Sequence, residues 1–95
     1  MDTISDRVRD LRARSGLKGK ELDRLAGFSP GKLWSIERAE GENFELDTIR
    51  GLAGVFGCSL DYLVSGEGHK PTDEELGDAV TRARSKADAQ SGDAA

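Results

Sequence analysis

The sequence contains few of the residues on which catalytic and metal sites depend. It has one cysteine and one histidine in 95 residues, so it cannot form an internal disulfide or a zinc site built from several such ligands. It has no glycine-rich phosphate loop leading out of a strand and no recognisable pair of nucleophile and base. We therefore expect a protein that is not an enzyme and that uses no metal and no cofactor.

Long apolar runs are also missing. No stretch approaches the roughly 20 apolar residues that cross a membrane, and no charged and apolar leader opens the sequence. We therefore expect a cytoplasmic protein. Two prolines and an apolar content of 36% suit a small helical core, and domains of this size often depend on a partner for stability.

The net charge of −4 is unevenly distributed. Residues 7–38 carry nine basic and four acidic side chains, a net charge of +5, whereas residues 39–66 carry one basic and five acidic ones, a net charge of −4. An overall negative charge is unusual for a protein that binds nucleic acid, because attraction to phosphate normally supplies much of the affinity. The basic segment nevertheless predicts a positively charged surface at one end of the molecule.

Residues 16–38 are typical of two short helices joined by a tight turn. Leucines at helical spacing give the first of them, at about 19–26, an apolar stripe, and Gly27 suits the left-handed conformation that ends a helix. The Ser29-Pro30 pair suits the N-cap and first position of the second, at about 30–38. This spacing predicts a helix-turn-helix whose second helix has one face free to enter a DNA groove.

Apolar periodicity predicts three further helices in the first 66 residues. One begins at a cap, Thr3 or Ser5, and ends at about Ser15. Another runs from Leu46 to a stop at Gly57, and a short one follows with Ser59 as its cap. The side chains of this short helix that we expect to face the core are Leu60, Leu63 and Val64.

A short glycine-containing linker divides a helix-turn-helix domain, residues 1–66, from a linker and tail, residues 67–95. Thr72 and Glu75 form a capping box that predicts a tail helix. The narrow stripe of mostly small residues along it is Leu76, Ala79, Val80, Ala83 and Ala87.

The tail helix is either frayed and solvated or packed on the domain or on a partner. If it packs, we expect it to lie against Gly51 and Gly54, which the periodicity places on the outward face of the fourth helix, where two glycines would admit another helix closely. Residues 70–90 are accordingly a candidate surface for a protein partner. Residues 90–95 are expected to be disordered.

Four segments, in this order and at these spacings, resemble the phage repressor/Cro (XRE-type) helix-turn-helix family. They are LRARSGL (11–17), ELDRLAGFSP (21–30), IER (36–38) and LAGVFGCSLDYL (52–63). The resemblance implies an all-α fold, a five-helix lambda-repressor-like DNA-binding domain, followed here by the tail helix. It also implies a homodimeric transcriptional regulator, usually a repressor, that binds a pseudo-palindromic operator in double-stranded DNA with its third helix in the major groove.

The resemblance implies roles for individual residues. Arg12 and Glu37 are similar to an internal ion pair of the family between the first and third helices, which stabilises the scaffold and reads no base. The residues implied in base readout are Pro30, Gly31, Lys32 and Ser35, and Lys32 has the reach for guanine O6 and N7. The residues implied in phosphate contact are Lys18, Gly19, Lys20, Trp34, Arg38 and Asn43. The residues implied in the dimer interface are Tyr62, Leu63 and Val64.

Three features depart from the family pattern. Asp23 lies where the family prefers alanine, at the crossing of the second and third helices, and a buried carboxylate there needs solvent or a cationic partner. The candidates for that partner are Lys20, Arg24 and Arg38. Glu40 and Glu42 occupy a loop that in relatives often carries phosphate-binding groups, and Glu45 replaces the usual small hydroxyl cap of the fourth helix.

These departures keep a second function open. The alternative is a degenerate helix-turn-helix that acts as a protein-interaction module, antitoxin-like or regulator-binding, with weak or no DNA binding. Trp34 fits either function, since its ring could pack at the edge of the domain or at a dimer seam, or could contact DNA or a protein partner.

Overall fold

Six helices form the described part of the chain, which in this computed structural model comprises residues 3–38 and 44–93, with side chains described up to residue 89. They are α1 (Ile4–Ser15), α2 (Gly19–Ala26), α3 (Lys32–Arg38), α4 (Leu46–Phe56), α5 (Leu60–Ser65) and α6 (Asp73–Asp93). These residues contain no strand, so the expected all-α fold with a C-terminal helix is confirmed. The predictions for Glu40, Glu42 and Asn43 fall outside the described residues.

Local signals account for most helix ends. Thr3 and Asp6 form a capping box at the start of α1, in which the Asp6 N–H donates to Thr3 Oγ1 at 3.1 Å. Gly16, Gly27 and Gly57 end α1, α2 and α4 in the left-handed conformation, as the sequence predicted for Gly27. The predicted bounds of these three helices are therefore confirmed.

The core lies where the apolar faces of the helices meet. Phe56 of α4 is fully buried near the end of its helix, and each large side chain buried in this way contributes about 1.5–3 kcal/mol. The other fully buried large apolar side chains are Val8, Leu11, Leu22, Leu33, Ile36, Leu52, Leu63 and Leu76. Because Leu76 belongs to α6, the tail helix contributes to the same core as the five helices before it.

The tail helix packs on the domain, which decides between the two outcomes left open above. α6 contacts α1, α2 and α4. Arg14 of α1 holds its start, donating from Nε to Asp73 Oδ1 at 2.9 Å and from Nη2 to the Pro71 carbonyl at 2.6 Å. Further along, Arg84 donates from Nε and Nη2 to the two carboxylate oxygens of Glu21, at 2.8 and 2.9 Å.

The site of closest approach differs from the prediction. Gly57 meets α6, since a Cβ built there would lie 2.7 Å from the Cβ of Ala79. Gly51 instead faces Phe28, and a Cβ at Gly54 would meet nothing within 4 Å. The glycines of α4 therefore do not form the docking face, and the glycine that ends α4 does. The expectation of disorder over residues 90–95 is also wrong in part, because α6 continues to Asp93.

The orientation of α5 is a second correction. Tyr62 and Leu63 are buried within the chain, whereas Leu60 and Val64 are 37% and 48% exposed. Arg7 fixes this orientation, because its Nε donates to the Leu63 carbonyl at 2.8 Å and its Nη2 to the Val64 carbonyl at 2.8 Å. Tyr62 and Leu63 thus serve the fold of one chain and have little surface to offer a dimer interface.

No helix of the described residues has the length and apolarity to cross a membrane. No group of three or more histidine, cysteine, aspartate or glutamate side chains among them is arranged to hold a metal ion.

Candidate nucleic-acid interface

The turn between α2 and α3 is built by Pro30 and Gly31. The Lys32 N–H donates to the Ser29 carbonyl at 3.1 Å, and Gly31 has a φ of +87°. Proline at the second and glycine at the third position, with positive φ at the glycine, define a type II β-turn. The prediction that Ser29 caps α3 and that Pro30 is its first residue is therefore wrong, and α3 begins at Lys32.

Asp23 supplies the missing cap from the neighbouring helix. Its carboxylate is buried, at 5% exposure, and it accepts from the Gly31 N–H at 3.0 Å and from the Leu33 N–H at 2.8 Å. These N–H groups belong to the turn and to the first turn of α3, where backbone donors have no partner within the helix. The predicted partners, solvent or a cationic side chain, are thus replaced by backbone donors, which compensate the burial of this carboxylate.

The opposite end of α3 is held against α1. Arg12 and Glu37 form a two-pronged ion pair, with Arg12 Nη2 3.2 Å from Glu37 Oε1 and Nε within hydrogen-bond distance of Oε2. Hydrogen bonding to Glu37 raises the pKa of Arg12 above its ordinary value. The hydroxyl of Ser5 donates to the Ile36 carbonyl at 2.6 Å. α3 is consequently fixed at both ends by side chains of other helices.

The acidic side chains of residues 7–38 all have partners within the chain. Asp10 pairs with Arg14, Glu21 with Arg84, Asp23 with the start of α3, and Glu37 with Arg12. The arginines of α1 are likewise occupied by contacts within the chain. The exposed cations of α2 and α3 and of the residue before α2 are Lys18, Lys20, Arg24, Lys32 and Arg38. The surface charge of this unit is therefore mainly positive, although the chain as a whole is acidic.

The structure brings several predicted contact residues onto one surface. Lys32 and Ser35 are exposed and three residues apart on α3, so they share a face of the helix. Lys18 is the N-cap of α2, and its side chain makes no capping hydrogen bond. A Cβ at Gly19 would lie 3.6 Å from the indole nitrogen of Trp34. The start of α2 and the outer side of α3 are thus adjacent, with Trp34 lying against Gly19.

Trp34 is 56% exposed and borders a shallow recess of about 560 Å³. Phe28, Pro30 and Gly31 form its apolar part, and cationic side chains of α2 flank it. A surface of this kind combines an apolar face with positive charge, the chemistry that suits the sugars and phosphates of a nucleic acid.

The roles of two residues important for this geometry had no recognisable signal in the sequence. Asp23 caps a helix that starts nine residues later, and Arg7 binds carbonyls more than fifty residues away. Cap and ion-pair rules for a single sequence cover neighbours three or four residues apart, so both roles lie beyond their range. Burial raises the pKa of the Cys58 thiol to about 11, and a raised pKa lowers the fraction of nucleophilic thiolate.

Comparison with known proteins agrees with this geometry. A family model described as a helix-turn-helix domain matches residues 3–63, which span α1 to α4 and most of α5. The repressor protein CI of Enterobacteria phage phi80 is 35% identical over 77 residues, covering 79% of this chain and 31% of that repressor. No solved structure matches. Since the family model covers more than half of the chain, the protein belongs to the helix-turn-helix family of phage-repressor type, a family of DNA-binding regulators and not of enzymes.

Proposed function

We propose that this chain is a sequence-specific transcriptional regulator, acting in the cytoplasm as a repressor, that binds double-stranded DNA with α3 in the major groove. The observation that carries the proposal is that α3 is anchored at both ends while its outer face is exposed and cationic. A rigid helix with free donors on one face meets the geometric requirement for reading base edges. The name of the phage relative, a repressor, supports the direction of regulation.

Within this proposal the side chains that read bases are Lys32 and Ser35. Pro30 has no N–H, and the Gly31 N–H already donates to Asp23, so neither of these two residues offers bases a donor. Two side chains can contact only a few base edges directly. Sequence-dependent DNA shape therefore supplies a large share of the specificity.

The proposed phosphate contacts surround these readers. Lys18 and Lys20 stand at the start of α2, where the N–H groups of the first turn point outward and attract anions. Arg38 lies at the far end of α3. Trp34 would pack on deoxyribose beside the phosphate bound at Gly19.

We further propose a homodimer that places two copies of α3 one helical turn of DNA apart, on the two halves of a pseudo-palindromic operator. With Tyr62 and Leu63 in the core, the surface for this contact on α5 reduces to Leu60 and Val64. Both are exposed apolar side chains of the kind that marks interaction surfaces when they are adjacent.

In vitro selection of bound duplexes from a random DNA library is the experiment that tests the proposal. We expect enrichment of a two-fold symmetric motif. Recovery of no motif above background would contradict the proposal and favour the alternative of a protein-interaction module. Recovery of a reproducible motif that lacks two-fold symmetry would refute the proposed dimer but not the proposed sequence-specific binding.

Two lysine variants, measured on the selected duplex and a scrambled one, separate the proposed roles. Lys32→Ala should lose about 1–3 kcal/mol on the selected duplex and relax specificity at one base position. Lys18→Ala should weaken binding to both duplexes by a similar factor and reduce the salt dependence of the affinity. Equal behaviour of the two variants on both duplexes would refute the division between base and phosphate contacts.

A further inference from the structure

A second cationic surface lies between α2, α4 and α6. It is a groove of about 410 Å³, and its floor, the uncharged part of the lining, consists of glycines and alanines, such as Gly54 of α4 and Ala83 of α6, together with Leu25 and Val55. Its lining carries four cationic side chains and, among the described residues, no acidic one. The four are Arg24, Arg50, Arg82 and Lys86. An acidic chain thus concentrates positive charge in a concave site apart from α3.

The fold keeps this groove open and leaves most of its positive charge without a neutralising partner. The ion pair between Arg84 and Glu21 ties α6 to α2, and Gly57 lets α6 approach the end of α4. The same ion pair occupies the nearest carboxylate of α2. Within the described part of the chain, Arg50, Arg82 and Lys86 form no ion pair, and Arg24 is 3.9 Å from Glu21. Like charges brought together without partners favour an anionic occupant, and a concave wall strengthens their field.

We propose that this groove binds an acidic peptide segment of a partner protein. The dimensions fit, because Ala79 and Ala87 are eight positions apart on α6, or about 12 Å at a rise of about 1.5 Å per residue. About four residues of an extended peptide span the same length. Alternating carboxylates and small apolar side chains would meet the cations of the rim and the methyl groups of the floor.

The chemistry of the floor favours a peptide over a second stretch of DNA. Phosphates are usually held by hydroxyl, amide and backbone N–H donors as well as by charge, and the floor offers only glycines and apolar side chains. The groove is also lined by the last residues of α2, Arg24 to Ala26, and by Gly27, at the opposite end of that helix from Lys18 and Gly19. Arg24 also borders the recess beside Trp34, whereas Arg50, Arg82 and Lys86 line the groove and not that recess.

A matched pair of glycine variants tests the shape of the groove without changing its charge. Gly54→Leu adds a side chain to α4 in the groove, and Gly77→Leu adds one to α6 outside the groove. A Cβ at either position meets nothing within 4 Å. The probes are fluorescein-labelled octapeptides that alternate Glu or Asp with Ala or Leu, together with the same peptides carrying Gln or Asn. Binding to the full chain is measured by fluorescence polarisation at low and at moderate salt.

We expect acidic peptides to bind the wild type and Gly77→Leu alike, and Gly54→Leu at least tenfold more weakly. The amide peptides should bind at least tenfold more weakly than the acidic ones. Equal binding of acidic and amide peptides, equal binding to both glycine variants, or no acidic peptide bound would overturn the proposal, provided that circular dichroism shows folded proteins.

A pair of charge variants distinguishes the groove from the DNA surface. The double substitution Arg82→Ala with Lys86→Ala should weaken peptide binding at least tenfold and leave the affinity for duplex DNA within twofold. The double substitution Lys18→Ala with Lys32→Ala removes the same charge and should leave peptide binding within twofold. If the groove variant loses duplex affinity as strongly as the second variant does, or if duplex DNA displaces the peptide from the groove, the groove is a nucleic-acid surface and the proposal fails.

Discussion

Replacement of Asp23 by alanine tests whether this carboxylate caps α3. The substitution removes the acceptor for the Gly31 and Leu33 N–H groups. Loss of an aspartate cap costs about 1 kcal/mol, and a buried donor left without a partner costs about 1–3 kcal/mol. Gly31 is exposed and its N–H can bind water, whereas Leu33 is buried. Since the two contributions overlap, we expect a loss of about 2–3 kcal/mol.

Urea denaturation monitored by circular dichroism measures this loss, and hydrogen exchange locates it. A loss of this size lowers Tm by about 8–24 °C in a domain of this length, and the amides of α3 should exchange faster while those of α1 change little. Asp23→Asn keeps one acceptor and should lose roughly half as much. The control is Asp78→Ala on the exposed side of α6, expected to change stability by less than about 0.5 kcal/mol. Equal stability of Asp23→Ala and this control would refute the cap.

Three further predictions address the tail helix and the dimer. Gly57→Ala should lower the free energy of unfolding by about 2–4 kcal/mol, and Gly16→Ala by only about 1 kcal/mol. Both glycines have positive φ, but only Gly57 contacts α6. Equal losses for the two variants would contradict that contact. Arg84 holds the pKa of Glu21 in the folded chain below its ordinary value of 4.5. The ion pair therefore stabilises the fold at pH values above 4.5, and this stabilisation is lost as the pH falls through the lowered pKa of Glu21. Acid titration of Glu21→Gln should then show a weaker decline than the wild type, and identical curves would exclude the linkage. Sedimentation of Val64→Asp should show a lower mass than the wild type if α5 forms the proposed dimer, whereas an unchanged mass would exclude this surface.

The helix bounds of α1, α2 and α4 could be predicted because their signals are local. Gly16, Gly27 and Gly57 each follow an apolar stripe and adopt the left-handed conformation for which glycine has no steric cost. Thr3 needs only Asp6, three residues on, to close its capping box. The order of the helices and the resemblance to a helix-turn-helix family follow from such signals, since each depends on residues within one or two turns.

The start of α3 shows where local reasoning fails. Ser29 and Pro30 satisfy the rules for a helix start and equally well those for a type II turn. The carboxylate of Asp23 decides between them, because it fixes Gly31 and Leu33 from another helix. A cap contributed from another element leaves no pattern within the segment that it caps.

By itself the sequence determined the order of the helices, the local caps of α1 and α5 and the membership of this chain in a family of DNA-binding regulators, because those features depend on neighbours along the chain. The tertiary structure alone decided which face of α5 is buried, where α6 docks and which charges remain exposed. Arg7 donates hydrogen bonds to α5, and Arg14 and Glu21 bind α6. Because the arginines of α1 are paired within the chain, the exposed positive surface is formed mainly by α2 and α3. Such pairings join residues from about 25 to more than 60 positions apart, and only the packed chain brings them within hydrogen-bond distance.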